Sequence, residues 1–158
     1  MNNDIRNEMI VLLNADKVCG DCQIKILAVC AKFLSNDSYM DKIKPILDGF
    51  FPDNEDVNLW IELPKITAII VETNKQVVNN EPVDIDTMKF VVYAVIYHYL
   101  DNYQSIFLNK QPAGFLRVCW TNLVEILTMK PKHVNLKKLT LWKMFIGCIC
   151  GDDSMIRL

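Results

Sequence analysis

Four of the six cysteines stand in closely spaced pairs, and these pairs are the residues of this chain best suited to chemistry. Cys19 and Cys22 form a C-x-x-C motif, and Cys148 and Cys150 form a C-x-C motif far along the chain. Four thiolates could complete the tetrahedral shell of a structural zinc if the two pairs met in space. A C-x-x-C motif at a helix start can also undergo thiol–disulfide exchange, because the helix dipole stabilises its thiolate.

The surroundings of the cysteines favour a simpler interpretation, in which the thiols are reduced packing groups. The two pairs lack the usual spacing of a zinc site, and no predicted strand precedes Cys19 as it does in redox domains with a βαβ unit. Asp21, next to Cys22, is expected to raise the pKa of the nearby thiols. Cys30 and Cys119 lie in apolar helical patterns, where cysteine behaves as a small hydrophobe. We therefore expect no cofactor, no metal and a reducing compartment, cytoplasmic or nuclear.

Other catalytic arrangements find less support in the sequence. His98 could serve as a base for Cys119, but nothing in the sequence places the two side by side. The adjacent Asp152 and Asp153 are expected to lie in a solvated turn. There is no glycine-rich phosphate loop, no H-E-x-x-H and no G-x-S-x-G motif. The sequence therefore predicts a protein that is not an enzyme.

Charge is divided unevenly along the chain. Residues 48–86 hold nine acidic residues and two lysines, whereas residues 87–147 hold eight basic residues and two acidic ones. Five of these basic residues have no acidic neighbour in sequence: Lys130, Lys132, Lys137, Lys138 and Lys143. Such a face can attract a protein with an acidic surface, or the acidic region of a second copy in a homo-oligomer. The alternative is that both regions are merely solvated, because exposed charges cost little free energy.

The whole-chain composition argues against two other classes of partner. A net charge of −2, a pI of about 5.6 and only three arginines are unlike the basic footprint of a nucleic-acid-binding domain. The longest uncharged apolar run, residues 90–100, covers 11 residues, whereas a bilayer span needs about 20. The polar N-terminal residues also lack the features of a secretion signal.

These residues must be positioned by secondary-structure elements, and the apolar residues along the chain recur every three to four positions, as in α-helices. We expect a first helix over Asp4–Asn14, capped by Asn3 or Asp4, and a second from about Asp21. A capping box at Ser38 is expected to open the third helix, which Gly49 should end.

After the third helix, the apolar pattern predicts five further helices. A short helix around Leu59 precedes a fifth helix opened by Pro64. The sixth, over Asp86–Leu108, is apolar all round, which is typical of a core helix. A seventh begins at Pro112, and an eighth covers residues 136–149.

These elements predict a single helical domain over residues 1–158, a globular bundle of about seven or eight helices around a very apolar central helix. Helical hairpins stacked in the HEAT or armadillo manner are the alternative. No internal repeat at a fixed period supports that alternative.

By elimination, the predicted function is a non-enzymatic protein-interaction module: an adaptor, an inhibitor or an assembly component. An excess of lysine over arginine suggests an AT-rich genome, such as that of a large DNA virus. Two alternatives stay open. One is a small helical regulator of host apoptosis or innate signalling, Bcl-2-like in its buried central hairpin, although the Asn-Trp-Gly-Arg box of that family is missing. The other is a thiol-redox or zinc-binding protein using Cys19 and Cys22.

Overall fold

The computed structural model describes residues 1–53, 55–77 and 83–128, and these residues form α-helices and no strand. In chain order the helices are α1 (Asn3–Ala15), α2 (Gly20–Leu34), α3 (Asp37–Phe50), α4 (Leu59–Val77), α5 (Ile85–Tyr103), α6 (Ser105–Lys110) and α7 (Phe115–Thr128). The prediction of an all-helical fold is confirmed for this part of the chain. The predicted eighth helix lies outside the described residues. None of the described helices combines the length and apolarity needed to cross a bilayer.

Helix α5 contributes more buried side chains than any other described helix. Every residue from Phe90 to Ile96 is buried. Because an α-helix turns once in 3.6 residues, so long a buried run covers its whole circumference. Helix α5 packs against α1, α2, α4 and α6, and α7 packs against α4. Helix α1 buries one face, with Ile5, Met9 and Leu12.

The predicted caps of the first and third helices were assigned to the wrong side chains. Helix α1 is capped by Asn2 rather than by Asn3 or Asp4. The Asn2 side chain accepts a hydrogen bond from the Ile5 N–H at 2.9 Å. Helix α3 is capped by Asn36, ahead of Ser38. In each case the cap is the residue with extended backbone, because only there can the side-chain oxygen reach the third N–H of the helix.

Helix ends and breaks also differ from the prediction. Helix α3 continues past Gly49, and α4 is one helix that includes Pro64 rather than two helices meeting there. The predicted sixth helix is divided at Gln104, whose backbone leaves the helical region and whose side chain donates to the Phe51 carbonyl at 3.2 Å. Helix α7 begins three residues after Pro112, following a turn in which Gly114 has a φ of +77°.

Candidate functional site

A groove of about 710 Å³ opens between α1 and the turn that joins α6 to α7. We call it the α1–α7 groove. One face of α1 forms its first wall through Asp4, Asn7, Glu8 and Val11, which lie three or four residues apart and so align along the helix. Residues 107–109 and 111–116 form the opposite wall, and α5 adds residues between the two.

A partly buried ion pair connects α1 and α7 beside the groove. Arg117 Nη1 on α7 lies 3.0 Å from both carboxylate oxygens of Glu8 on α1. The Tyr93 hydroxyl on α5 donates to Glu8 Oε1 at 2.6 Å. Only 16% of the Glu8 side chain is exposed, so this carboxylate acts as a fixed anchor between three helices. The groove is therefore shaped by a rigid polar contact as well as by apolar packing.

Negative charge dominates the interior of the α1–α7 groove. The pKa of Tyr97, which lines it, is raised first by burial and then by the charges of Glu8, Asp101 and Asp4. Arg117 opposes this effect, but its guanidinium is already paired with Glu8. Asp4 and Asp101 both line the groove, and Asp101 Oδ2 accepts a hydrogen bond from the Asn2 side-chain amide at 3.3 Å.

Large apolar side chains lie exposed at the edge of the same groove. Val11 on its wall is 46% exposed, and Trp60 at the start of α4 is 52% exposed. The Trp60 ring meets the ring of Phe115 edge-on, with centroids 6.4 Å apart, and Phe115 lines the groove. Val118, one helical turn beyond Phe115, is 53% exposed. Exposed apolar clusters beside a groove are typical of binding surfaces.

The Cys19–Cys22 pair lies in a second groove, of about 530 Å³, between the end of α1, the start of α2 and the first turn of α5. Both cysteines are exposed. Cys19 is the N-cap of α2, and its sulfur accepts a hydrogen bond from the Cys22 N–H at 3.3 Å. The predicted position of this motif at the helix start is confirmed, and Cys19 is the cap itself. The interpretation of these two thiols as packing groups was wrong, because both are exposed.

The two thiols of this pair are electrostatically distinct. Hydrogen bonds from the Cys22 thiol and then from the Cys22 N–H lower the pKa of Cys19, and they outweigh the opposing effects of desolvation and Asp21. The pKa of Cys22 is raised, first by its hydrogen bond to Cys19. Asp21 acts to raise the pKa of both thiols, as expected, but at Cys19 the direct hydrogen bonds outweigh this effect.

The remaining sequence-predicted residues fall into two groups. The lysines of the predicted partner-binding face and the second cysteine pair lie outside the described residues: Lys130, Lys132, Lys137, Lys138, Lys143, Cys148 and Cys150. The basic face and the four-thiol zinc site therefore stay predictions. Within the described ranges, no group of three or more histidine, cysteine, aspartate and glutamate side chains could hold a metal ion.

His98 and Cys119 show no described contact with each other. His98 is half-buried on α5, and desolvation lowers its pKa. Its Nδ1 lies 3.3 Å from the Asn102 side-chain nitrogen. Cys119 is 1% exposed on α7, and burial raises its thiol pKa. This arrangement provides no activated thiolate.

Comparison with known proteins finds no family model that matches the chain, and no curated protein or solved structure with significant similarity to it. The fold and its grooves define a helical protein with an acidic, apolar-edged cleft. Its function must therefore be argued from the chemistry of these surfaces.

Proposed function

We propose that this chain is a non-enzymatic protein-interaction module that binds a partner segment in the α1–α7 groove. The observation that supports this most is the combination, in one groove, of acidic walls and exposed apolar edges. Each part alone is common on protein surfaces. Acidic walls and exposed apolar edges together are typical of a protein–protein interface, in which apolar contacts supply affinity and charges orient the partner.

The lining of the groove indicates the chemistry of the partner. Phe107 and Phe115, which are only partly buried, offer apolar contacts along the groove. These contacts suit a segment that presents one or two large apolar side chains. The acidic side chains near them suit a lysine or arginine on the same segment. We therefore expect a short amphipathic, basic segment of another protein as the occupant.

The ionisable groups of the groove favour recognition over catalysis. Tyr97, with its raised pKa, keeps its proton at neutral pH and so cannot serve as a general base there. Glu8 is held by Arg117 and Tyr93. Such fixed groups suit the orientation of a bound segment.

Selection from a displayed peptide library, followed by affinity measurements on soluble peptides, tests this function. Selected peptides should be enriched in lysine or arginine next to large apolar residues. A variant with Val11→Ser and Trp60→Ser should bind them about tenfold more weakly or worse, as expected for central apolar contacts. A variant with Asp4→Asn and Asp101→Asn should bind more slowly at low salt and show a weaker dependence on salt.

The chain offers a matched control for the apolar substitutions. Ile24 on α2 is 68% exposed but does not line the α1–α7 groove. Ile24→Ser should leave peptide affinity unchanged. If the selected peptides bind all groove variants as tightly as the wild type, or show no basic enrichment, this function is wrong.

A further inference from the structure

The Cys19–Cys22 pair combines three features that the proposed interaction function does not use. The sulfur of Cys19 occupies the cap position of a 15-residue helix, where the first N–H groups of α2 point at it. Cys22 lies three residues on, and its backbone N–H donates to Cys19 Sγ at 3.3 Å. The Cys22 side chain also lowers the pKa of Cys19. Both cysteines are exposed and open into one groove.

We propose that Cys19 and Cys22 form a redox-active dithiol that exchanges with an accessible disulfide, in which Cys19 is the attacking thiol and Cys22 the resolving thiol. The other described caps with a side-chain bond use oxygen: Asn2, Asn36 and Asp84 accept from the third N–H of their helices. Cys19 does the same with sulfur, and a thiolate there accepts the N–H more strongly than a thiol does. The cap geometry therefore stabilises the reactive form of Cys19.

The exchange proceeds in two balanced steps. In the first, the Cys19 thiolate attacks one sulfur of the substrate disulfide, forms a mixed disulfide with it and releases the other sulfur as a thiolate. In the second, Cys22 loses its proton to that leaving thiolate or to solvent and attacks Cys19 Sγ. The second substrate thiolate leaves, and a Cys19–Cys22 disulfide forms. Two protein thiols are oxidised, and the substrate disulfide is reduced to two thiols.

The backbone at Cys19 permits this internal disulfide. Helical residues three apart have Cβ atoms about 5–6 Å apart, whereas a disulfide needs about 3.8 Å. Cys19 precedes the helix, with extended backbone angles of φ −64° and ψ 154°. Its sulfur can therefore approach Cys22 by a rotation at the cap, without breaking a helical turn.

Charges of both signs face the pair from each neighbouring element. The charged residues lining this groove, or next to the cysteines on α2, are Asp16, Lys17, Asp21, Lys25, Asp84, Asp86 and Lys89. Lys89 is paired with Asp16 at 3.1 Å, and Asp84 caps α5. Lys25 lowers the pKa of Cys22, whereas Asp21 raises it. The surrounding charges nearly balance, so the hydrogen bonds within the pair decide which thiol reacts first.

Mass spectrometry after treatment with glutathione disulfide tests the mechanism. All proteins carry Cys148→Ser and Cys150→Ser, so that only the described cysteines remain. The parent protein should lose two hydrogen atoms, and peptide mapping should find a Cys19–Cys22 disulfide. The Cys22→Ala variant should stop at a glutathione adduct on Cys19. The Cys19→Ser variant should keep its melting temperature, because serine is a good cap, and should form neither product.

A second assay, the reduction of insulin by dithiothreitol, shows whether a protein disulfide is also a substrate. The parent protein should accelerate this reduction.

A second measurement separates the role of Cys22 in positioning from a purely structural one. At neutral pH, iodoacetamide should alkylate Cys19 several-fold faster than Cys22. Cys22→Ala should slow the alkylation of Cys19 and shift its pH midpoint upwards, whereas Cys22→Ser should restore both, because a hydroxyl can still donate to the sulfur. Equal alkylation of the two thiols, adducts distributed equally between them, or the absence of an internal disulfide would overturn the proposal. Stoichiometric zinc that protects both thiols from oxidation would overturn it as well.

Discussion

The hydroxyl of Thr67 is the one buried side-chain group in the described part of the chain that has no hydrogen-bond partner. The residue is fully buried on α4. A buried polar group without a partner loses its bonds to water and gains nothing in return. Asn74, two helical turns further on α4, is equally buried but accepts from the Tyr39 hydroxyl and donates to Met88 Sδ at 3.2 Å. The two residues therefore contribute to stability with opposite signs.

Replacing Thr67 by valine should raise the free energy of unfolding by about 1 kcal/mol, because valine has the same shape and no unsatisfied hydroxyl. Urea denaturation measures the change. Thr73→Val is the matched control, since the Thr73 hydroxyl donates to the Ile69 carbonyl at 2.9 Å. That variant should gain no stability. An equal gain from both substitutions would contradict the explanation.

At the scale of elements, a single carboxylate connects α3 to α5. The Tyr99 hydroxyl donates to Asp48 Oδ1 at 2.7 Å, and Lys44 Nζ lies 2.9 Å from Oδ2. The hydrogen bond from Tyr99 and then the one from Lys44 hold the pKa of Asp48 below its usual value. Because the folded state prefers the charged form, this contact stabilises the protein above the unfolded-state pKa of Asp48 and is lost as the pH falls through the folded-state value.

Asp48→Asn should therefore lower stability at neutral pH, by less than about 1 kcal/mol because the side chain is nearly half exposed. The stabilities of variant and wild type should converge as the solution is acidified through the acidic range where Asp48 titrates. Thermal melting across a pH series measures this convergence. Asp41→Asn, an exposed substitution on the same helix, should show no such trend. A difference that persists at low pH would rule out the charge of Asp48 as its cause.

At the scale of the whole molecule, α5 packs against α1, α2, α4 and α6. Val92 and Ile96 are fully buried and lie one helical turn apart. An aspartate at either position would bury a charge without a partner. The resulting loss of several kcal/mol is large against a total stability of about 5–15 kcal/mol.

Val92→Asp should therefore abolish cooperative thermal unfolding or prevent the recovery of soluble protein. Circular dichroism and the melting curve report the outcome. Ile106→Asp, at a position 71% exposed on α6, is the control and should leave the melting temperature almost unchanged. A soluble, fully helical Val92→Asp protein with an unchanged melting temperature would show that this side of α5 is not essential to the fold.

Local sequence was sufficient for the helical class and for the candidate thiol pair. The spacing of Ile5, Met9 and Leu12 identifies α1 because a helical face repeats every three to four residues. The C-x-x-C spacing likewise places two thiols within one turn of a helix start. The cap bond from Cys22 to Cys19 is a local contact too. The sequence nevertheless favoured packed thiols, and only the structure shows that both cysteines are exposed.

Tertiary packing was needed for the break after α5 and for the larger groove. The apolar pattern of residues 86–108 predicts one helix. In the structure this helix is divided at Gln104, whose side chain donates a hydrogen bond to the Phe51 carbonyl. Val11 and Phe115 lie more than a hundred residues apart but line the same groove, beside which Glu8 on α1 binds Arg117 on α7. Periodicity reports which face of a helix is apolar, but not which other face it meets. That choice depends on how buried side chains from distant segments fit together.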